Sequence, residues 1–260
     1  MSLPPSKVIG CDFSGIVERS QSSSFHKGDR IAGVIHGCKD SHTGGFADFL
    51  VADPEMCFLV PQGLGLEEAC TLGVGWVSAT QALQQRLFKE VDEEEKVSSK
   101  RNAVSSNSRF VLLVQEIVFL SWVYTSLIIT CLALLQLLVY SAATNTGMHV
   151  IQQAHLLYPF IYIIAVASTE NHSRLQTLGA DVCFDYKSPT IEKDVKALEK
   201  NVTRAIDCHS EGRSTVMCAQ LMGREGRIVR TLPPGMIQGT VPQGLRANEW
   251  ILSYTALGKV

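Results

Sequence analysis

A short run of small side chains has the composition of an anion-binding turn. It lies between an apolar β-type segment, residues 137–140, and a segment with helical periodicity, residues 148–156. The first backbone N–H groups of a helix lack intrahelical acceptors, and the helix dipole adds a partial positive charge there, so a phosphate can bind if the neighbouring side chains are small. The run consists of Ser141, Ala142, Ala143, Thr144, Asn145, Thr146 and Gly147.

The same run is compatible with an ordinary helix cap. Gly147 is its only glycine, so the G-x-G-x-x-G fingerprint of dinucleotide-binding turns is incomplete. A second β-type run, residues 161–167, follows the helical segment and completes a βαβ unit, whose right-handed crossover makes the two strands parallel. The turn by itself therefore leaves open whether it binds a nucleotide or only caps the helix.

The elements that must position this turn alternate along the rest of the chain. Further β-type runs at residues 182–184, 203–207 and 226–232 are separated by helical patterns at 172–178, 190–201 and 214–222. Such alternation predicts an α/β fold with a parallel sheet covered by helices on both faces, which binds ligands beyond the carboxyl ends of its strands. The last residues, 249–260, are expected to form a helix.

The amino-terminal part has a different pattern. Residues 7–60 alternate short β-prone runs with glycine turns, which is typical of a small β-rich domain, and residues 66–88 have helical spacing. Residues 89–109 are polar and charged, as in an exposed loop.

An uncharged apolar stretch, residues 117–135, follows this loop and has about the 20 residues needed to cross a bilayer. Four cations precede it, as expected for a cytosolic amino side: Lys96, Lys100, Arg101 and Arg109. The alternatives are a buried helix or a stretch foreign to the fold, such as a translated intron.

Composition excludes several classes of function. The net charge of −2 and the lack of a Lys/Arg run argue against a nucleic-acid-binding protein. The eight cysteines are scattered without a C-x-x-C pair, which argues against a disulfide framework or a zinc ribbon. The amino terminus has no apolar segment of a signal peptide, so a cytoplasmic protein is expected.

Several segments together resemble the zinc-independent medium-chain dehydrogenase/reductases, and most closely the fungal NADPH-dependent enoyl reductases, including the trans-acting partners of polyketide synthases. They cover most of residues 7–90 and 137–260 in the family's order and include GCDFSGIVE, FHKGDRIAGVIHG, EEACTLGVGWVSATQAL, VYSAATNTGMHVIQQA and GRIVRTLPP. The resemblance implies a partial GroES-like substrate domain, residues 1–72, and a Rossmann-type NADP-binding domain, residues 73–260. Residues 92–136 match nothing in the family and interrupt the second domain, which is also expected to be incomplete at its carboxyl end.

The resemblance also implies a cofactor site for NADP(H). It assigns the pyrophosphate turn to Thr144, Asn145, Thr146 and Gly147. It places the 2′-phosphate near the end of the second strand, at Ser168, Thr169, Glu170 and Asn171, and near Tyr186, with the Glu170 side chain expected to point away. Thr231 and Leu232 would lie beside the nicotinamide half. Trp76 and Thr80 would meet cofactor and substrate, with core packing as the alternative.

The implied chemistry is hydride transfer from a reduced nicotinamide to the electron-poor carbon of an enoyl thioester. No acid or base side chain is proposed, and no metal is expected, because Cys11 and Asp12 have no convincing third ligand. The implied partners are a small or carrier-bound enoyl substrate and a polyketide synthase. The alternative function is a catalytically incomplete product, membrane-attached or misfolded, that keeps only a nucleotide-binding fold.

Overall fold

A computed structural model describes residues 7–39, 43–89, 135–198, 201–233 and 238–251. The chain divides into two compact units, the first formed by Met1–Gln81 with Ile251–Val260 and the second by Ala82–Trp250. Residues 73–81 thus fall in the first unit, whereas the domain limits expected from the sequence are 1–72 and 73–260.

The first unit contains a small antiparallel sheet. Strands β1 (Asp12–Ile16), β2 (Arg30–Val34) and β3 (Cys57–Leu59) pair in that order. The β-prone runs between glycine turns form these strands, as the sequence predicts. A small buried core beneath the sheet is made by Ala32, Val60 and Ala69, against which Phe58, Leu64 and Leu66 pack.

Besides the 3-10 helices Pro54–Met56 and Cys70–Leu72, the described part of this unit contains two short α-helices. They are α1 (Leu66–Ala69) and α2 (Val74–Thr80). The carboxylate of Asp12 in β1 accepts a hydrogen bond from the backbone N–H of Val74 and so caps α2. A Cβ atom on Gly73 would lie only 2.1 Å from Asp12 Oδ1, so a side chain there would displace this carboxylate. Asp12 therefore holds a strand against a helix.

The second unit is a parallel six-stranded sheet with helices between its strands. The strands are β4 (Gln136–Tyr140), β5 (Tyr162–Val166), β6 (Val182–Phe184), β7 (Arg204–Asp207), β8 (Gly226–Arg230) and β9 (Leu245–Trp250). The helices are α3 (Asn145–Leu157), α4 (His172–Thr177), α5 (Ile191–Lys196) and α6 (Ser214–Leu221). The strand order is β6-β5-β4-β7-β8-β9, and the α/β fold expected from the sequence is confirmed.

Apolar side chains on both faces explain why β4 lies at the centre of this sheet. Leu137, Leu138 and Val139 are consecutive and completely buried, as are Ile163 and Ile164 on the neighbouring β5. A strand that is apolar on both faces is stable only when helices cover both sides of the sheet. Each such side chain stabilises the fold by about 1.5–3 kcal/mol on burial.

Several element boundaries differ from the sequence expectation. Gln136 is the first residue of β4 and pairs with Tyr162, so this last residue of the expected insert, 92–136, belongs to the sheet. Helix α5 ends at Lys196 rather than at residue 201. The predicted helix over residues 249–260 is wrong at its start, because Glu249 and Trp250 end strand β9, where β8 offers a free edge to pair with. Residues 252–260 lie outside the described residues.

The predicted membrane span, residues 117–135, lies outside the described residues except for its last position. The backbone carbonyl of Leu135 accepts a hydrogen bond from the Tyr162 N–H, directly before β4. No helix within the described ranges is long and apolar enough to cross a bilayer.

Candidate functional site

A cleft of about 620 Å³ lies at the carboxyl edge of the parallel sheet. The chain runs outward from β4 to β6, then returns to place β7 on the other side of β4. Loops that follow β4 and β7 therefore leave in opposite directions, which creates the crevice where open α/β sheets bind ligands. The cleft is lined by Tyr140, Ser141, Ala143, Thr144, Ala167, Ser168, Tyr186, His209, Glu211, Gly212, Arg213, Ser214 and Met217.

The small-residue turn after β4 forms one wall. Thr144 is the N-cap of α3, and its Oγ1 accepts a hydrogen bond from the Gly147 N–H at 3.1 Å. The same hydroxyl donates to the Ser141 carbonyl at 2.9 Å, which closes the turn. Ser141 has a φ of 56°, a left-handed conformation that glycine adopts more easily. The turn is thus a helix cap, and Ser141, Ala143 and Thr144 also line the cleft, while nucleotide binding by the run stays a prediction.

Gly147 has a packing role. A Cβ atom at this position would lie 2.6 Å from the Ala142 carbonyl oxygen, so only glycine lets α3 begin this close to the turn. Together with Asn145 and Thr146 it forms the first helical turn of α3. Of the four residues expected to hold a pyrophosphate, Thr144 is the one whose side chain lines the cleft.

A hydrogen-bonded turn at the end of β5 forms a second part of the wall. Ser168 lines the cleft and precedes a short 3-10 turn, Thr169–Asn171. Its Oγ donates to Glu170 Oε1 at 3.0 Å and accepts a hydrogen bond from Asn171 Nδ2 at 2.9 Å. The tight turn brings the Glu170 carboxylate back to the serine hydroxyl, although Glu170 is not among the described residues that line the cleft, and its expected direction relative to a bound phosphate stays a prediction.

The segment after β6 is joined to that turn. The Thr169 hydroxyl donates to Asp185 Oδ2 at 2.7 Å, and the Lys187 backbone N–H donates to Asp185 Oδ1 at 2.9 Å. These two hydrogen bonds lower the pKa of Asp185 below its ordinary value, and the bond from Lys187 has the larger effect. Tyr186 lines the cleft, and the Lys187 ammonium lies 5.5 Å from the centroid of its ring. A cation therefore stands next to the aromatic side chain assigned to the 2′-phosphate.

The opposite wall is the loop between β7 and α6, which contributes His209, Glu211, Gly212, Arg213 and Ser214. The fully buried carboxylate of Asp207 holds this loop. Its oxygens accept hydrogen bonds from the backbone N–H groups of His209 and Ser210 and from the hydroxyls of Ser214 and Thr215. Sequence reasoning assigned no ligand contact to this loop. The polar run 207–215 was the available signal, since β7 borders the switch point in sheets of this order.

The remaining expected site residues lie elsewhere. Thr231 and Leu232 follow β8 and are not among the lining residues in the described part of the chain, although Ser210 Oγ accepts a hydrogen bond from the Thr231 N–H at 2.8 Å. Trp76 and Thr80 are on α2 of the first unit, where the Thr80 hydroxyl donates to the Trp76 carbonyl at 3.0 Å. Their assignment to nicotinamide and substrate stays a prediction.

Burial raises the pKa of two groups at the ends of β4 and β7. It raises the pKa of the Tyr140 phenol to about 12, with smaller contributions from Cys218, Asp207 and Tyr186. Burial likewise raises the pKa of the Cys208 thiol well above its ordinary value, which makes the thiol a poor nucleophile. Within the described ranges, no group of three or more His, Cys, Asp or Glu side chains could hold a metal ion.

The chain is similar to fungal reductases over nearly its whole length. It is 30% identical over 260 residues to the trans-enoyl reductase ACTTS2 of Alternaria alternata, covering 98% of this chain and 64% of that protein. It is 31% identical over 274 residues to the trans-enoyl reductase tenC of Beauveria bassiana, covering 100% and 65%. The chain thus spans a little under two thirds of the length of these relatives. No protein-family model matches it.

Solved structures share the fold. The CurK enoyl reductase superposes with a TM-score of 0.64 at 16% identity, over 96% of this chain and 62% of that one. An NAD-dependent alcohol dehydrogenase superposes with a TM-score of 0.65 at 18% identity, over 98% and 71%. These structures confirm the GroES-like plus Rossmann-type fold, and the sequence matches confirm the resemblance to fungal enoyl reductases.

Proposed function

Because this chain is a relative of the fungal trans-enoyl reductases and has the fold of the medium-chain dehydrogenase/reductases, we propose that it is an NAD(P)H-dependent oxidoreductase of an activated carbon–carbon double bond. The observation that carries the proposal is the cleft at the switch point, with a capped helix start on one side of β4 and the β7–α6 loop on the other. Its position is where dinucleotides bind in sheets of this strand order.

The residues of the cleft fit a nicotinamide dinucleotide. The side chains of Ser141, Ala143 and Thr144 are short, which leaves room for a diphosphate near the start of α3. The ends of β5 and β6 offer Ser168 and Tyr186 to the adenosine half. We propose NADP(H) as the cofactor, which is supported by the family resemblance and by the ammonium of Lys187 beside Tyr186.

The protein's part in such a reaction is binding and orientation. A reduced nicotinamide, when bound, supplies the hydride. Thr144 fixes the start of α3 through two hydrogen bonds, and Asp207 fixes the opposite wall through four. Tyr140 lines the cleft and adds no charge to it, because burial raises the pKa of its phenol to about 12. No side chain is assigned as acid or base.

The substrate and partner follow from the relatives. We propose an enoyl thioester, free or carried by a polyketide synthase, because the similar proteins are trans-enoyl reductases and the resemblance implies such partners. A cytoplasmic location stays a prediction.

Thermal unfolding with added cofactor tests the binding step. A ligand at a hundredfold excess over its Kd stabilises the folded state by about 2.7 kcal/mol, so NADPH should raise the Tm of the purified chain more than NADH does. Turnover is then measured as loss of NADPH absorbance with crotonyl thioester. Failure of both nucleotides to raise the Tm would contradict the proposal, and binding without turnover would support the catalytically incomplete alternative.

A further inference from the structure

The edge of the parallel sheet at which its strands begin, here called the amino edge, carries exposed apolar side chains. Leu156 and Leu157, at the end of α3, have exposed fractions of 71% and 47%, and Phe160, in the turn before β5, is 48% exposed. Tyr158 between them is buried and packs against Phe88, with ring centroids 4.5 Å apart. The cleft lies at the opposite, carboxyl edge of the same sheet.

A row of arginines crosses the amino edge. Arg204, Arg227 and Arg246 are paired in register on the adjacent strands β7, β8 and β9. Side chains paired in this way on parallel strands point to one face of the sheet, so the three arginines share a face. The guanidinium carbon of Arg204 lies 5.2 Å from the centroid of the Phe88 ring, which in turn packs on Tyr158. The arginine row therefore adjoins the apolar end of α3.

Cations outnumber acids at this edge in the described part of the chain. The π-helix Gln81–Leu87 ends there, because Arg227 Nη1 donates a hydrogen bond to the Arg86 carbonyl at 3.2 Å. The charged residues at this helix end and at or just before the strand starts are the cations Arg86, Lys89, Arg204, Arg224, Arg227 and Arg246 and the acids Asp181 and Glu225. The edge thus has a net positive charge next to exposed apolar side chains.

We propose that the amino edge binds the surface of an anionic lipid bilayer. Binding to such a surface combines apolar side chains that enter the interface with cations that attract the headgroups, and this edge carries both. Leu135, the last residue of the uncharged apolar stretch 117–135, accepts a hydrogen bond from the Tyr162 N–H at the same edge. The apolar stretch therefore joins the sheet on the side that faces the lipid, and the cleft at the opposite edge stays open to nucleotide.

Co-sedimentation of the purified full chain with vesicles tests this inference. The probes are vesicles of phosphatidylcholine alone and vesicles in which about one third of the lipid is phosphatidylserine. We expect about tenfold tighter binding to the anionic vesicles, because several arginines face the headgroups. Raising NaCl to about 0.5 M should weaken this binding, since salt screens exposed charges.

Two substitutions at the edge test the two kinds of contact. Arg246→Gln removes an exposed cation and should lower the partition coefficient for anionic vesicles about fivefold. Phe160→Ser removes an exposed ring and should lower it about tenfold. Thermal unfolding of each variant without vesicles checks that the fold is kept.

The first unit offers matched controls for both changes. Lys27 is an exposed cation that pairs with Glu18, and Val51 is an apolar side chain more exposed than Phe160. Lys27→Gln and Val51→Ser should leave the partition coefficient within about twofold of the native value, because neither residue lies at the amino edge.

The outcomes decide between lipid binding and other occupants of this edge. Vesicle binding that neither edge variant weakens would assign attachment to other residues, such as 117–135 alone, and would overturn the inference. Equal losses in the control variants, or no binding to either vesicle type, would overturn it as well. Sedimentation without vesicles that Phe160→Ser abolishes would instead assign the edge to contacts between copies of this chain.

Discussion

At the scale of single residues, the turn after β4 carries a serine where the backbone favours glycine. Ser141 has a φ of 56°, and its carbonyl accepts the hydrogen bond of Thr144 that closes the turn. A left-handed conformation costs a residue with a Cβ about 1–2 kcal/mol. The cleft is therefore built on a turn that the local sequence does not fully favour.

Ser141→Gly should relieve this conformational cost. We expect the free energy of unfolding to rise by about 1 kcal/mol without added nucleotide, measured by urea denaturation. The matched control is Ser173→Gly, on the exposed face of α4, where loss of helix propensity should lower stability by about 0.5–1 kcal/mol. A decrease in stability for both variants would show that the Ser141 conformation is not a source of strain.

Gly147→Ala tests the close approach of α3 to the turn. The added methyl group would lie 2.6 Å from the Ala142 carbonyl oxygen, which belongs to the backbone and cannot rotate away. We expect a loss of about 1–3 kcal/mol of stability, measured by thermal unfolding, together with weaker nucleotide binding. Gly15→Ala is the control, because a Cβ atom there meets nothing within 4 Å. Equal stability of the two variants would argue against this packing role.

At the scale of secondary-structure elements, each wall of the cleft is organised by one hydrogen-bonding side chain. Thr144 closes the β4–α3 turn, and Asp207 gathers the β7–α6 loop around its carboxylate. Burial of a carboxylate costs free energy unless its oxygens are hydrogen-bonded. Each oxygen of Asp207 accepts two hydrogen bonds. The loop and the carboxylate therefore stabilise each other.

Asp207→Asn should loosen this loop while preserving the shape of the side chain. The amide nitrogen cannot accept the hydrogen bonds that Ser214 and Thr215 donate to Oδ2, so two buried hydroxyls lose their partner. We expect stability to fall by about 3 kcal/mol in denaturant unfolding. Thr215→Val removes one donor and keeps the carboxylate, and it should cost about 1 kcal/mol. An Asp207→Asn variant as stable as the native chain would contradict this role.

At the scale of the whole molecule, the sheet of the second unit has a clear centre. Strand β4 has a neighbour on each side, β5 and β7, and its residues are all buried. Strands β6 and β9 each have one neighbouring strand in the described part of the chain. Opening that exposes a central strand needs more of the unit to unfold than opening at an edge does.

Amide hydrogen exchange should reflect this arrangement. We expect the slowest exchange in β4 and faster exchange in β6 and β9, measured on the native chain by mass spectrometry. The helix α3, which packs beside β4, serves as an internal reference for protection by the core. Exchange in β4 as fast as in β6 would contradict the central position of the strand.

The sequence alone was sufficient for local features. The α/β fold was predicted from the apolar run at 137–140, the small residues up to Gly147 and the alternation of strands and helices. The reductase relationship was predicted from the family segments. Both predictions depend on residues that are close together in the chain. The position of Ser168 after β5 follows from the same patterns, whereas α3 begins at Asn145 rather than at the predicted residue 148.

Only the tertiary structure decided which loops face each other. Strand β7 lies next to β4 although more than 60 residues separate them, so the order of strands in the sheet brought the polar run 207–215 to the cleft as its second wall. The direction of the Glu170 carboxylate and the strand conformation of Glu249 and Trp250 likewise depend on contacts made after folding. The physical reason is that strand pairing joins residues that are far apart in the chain. Local sequence patterns therefore do not show which strands become neighbours.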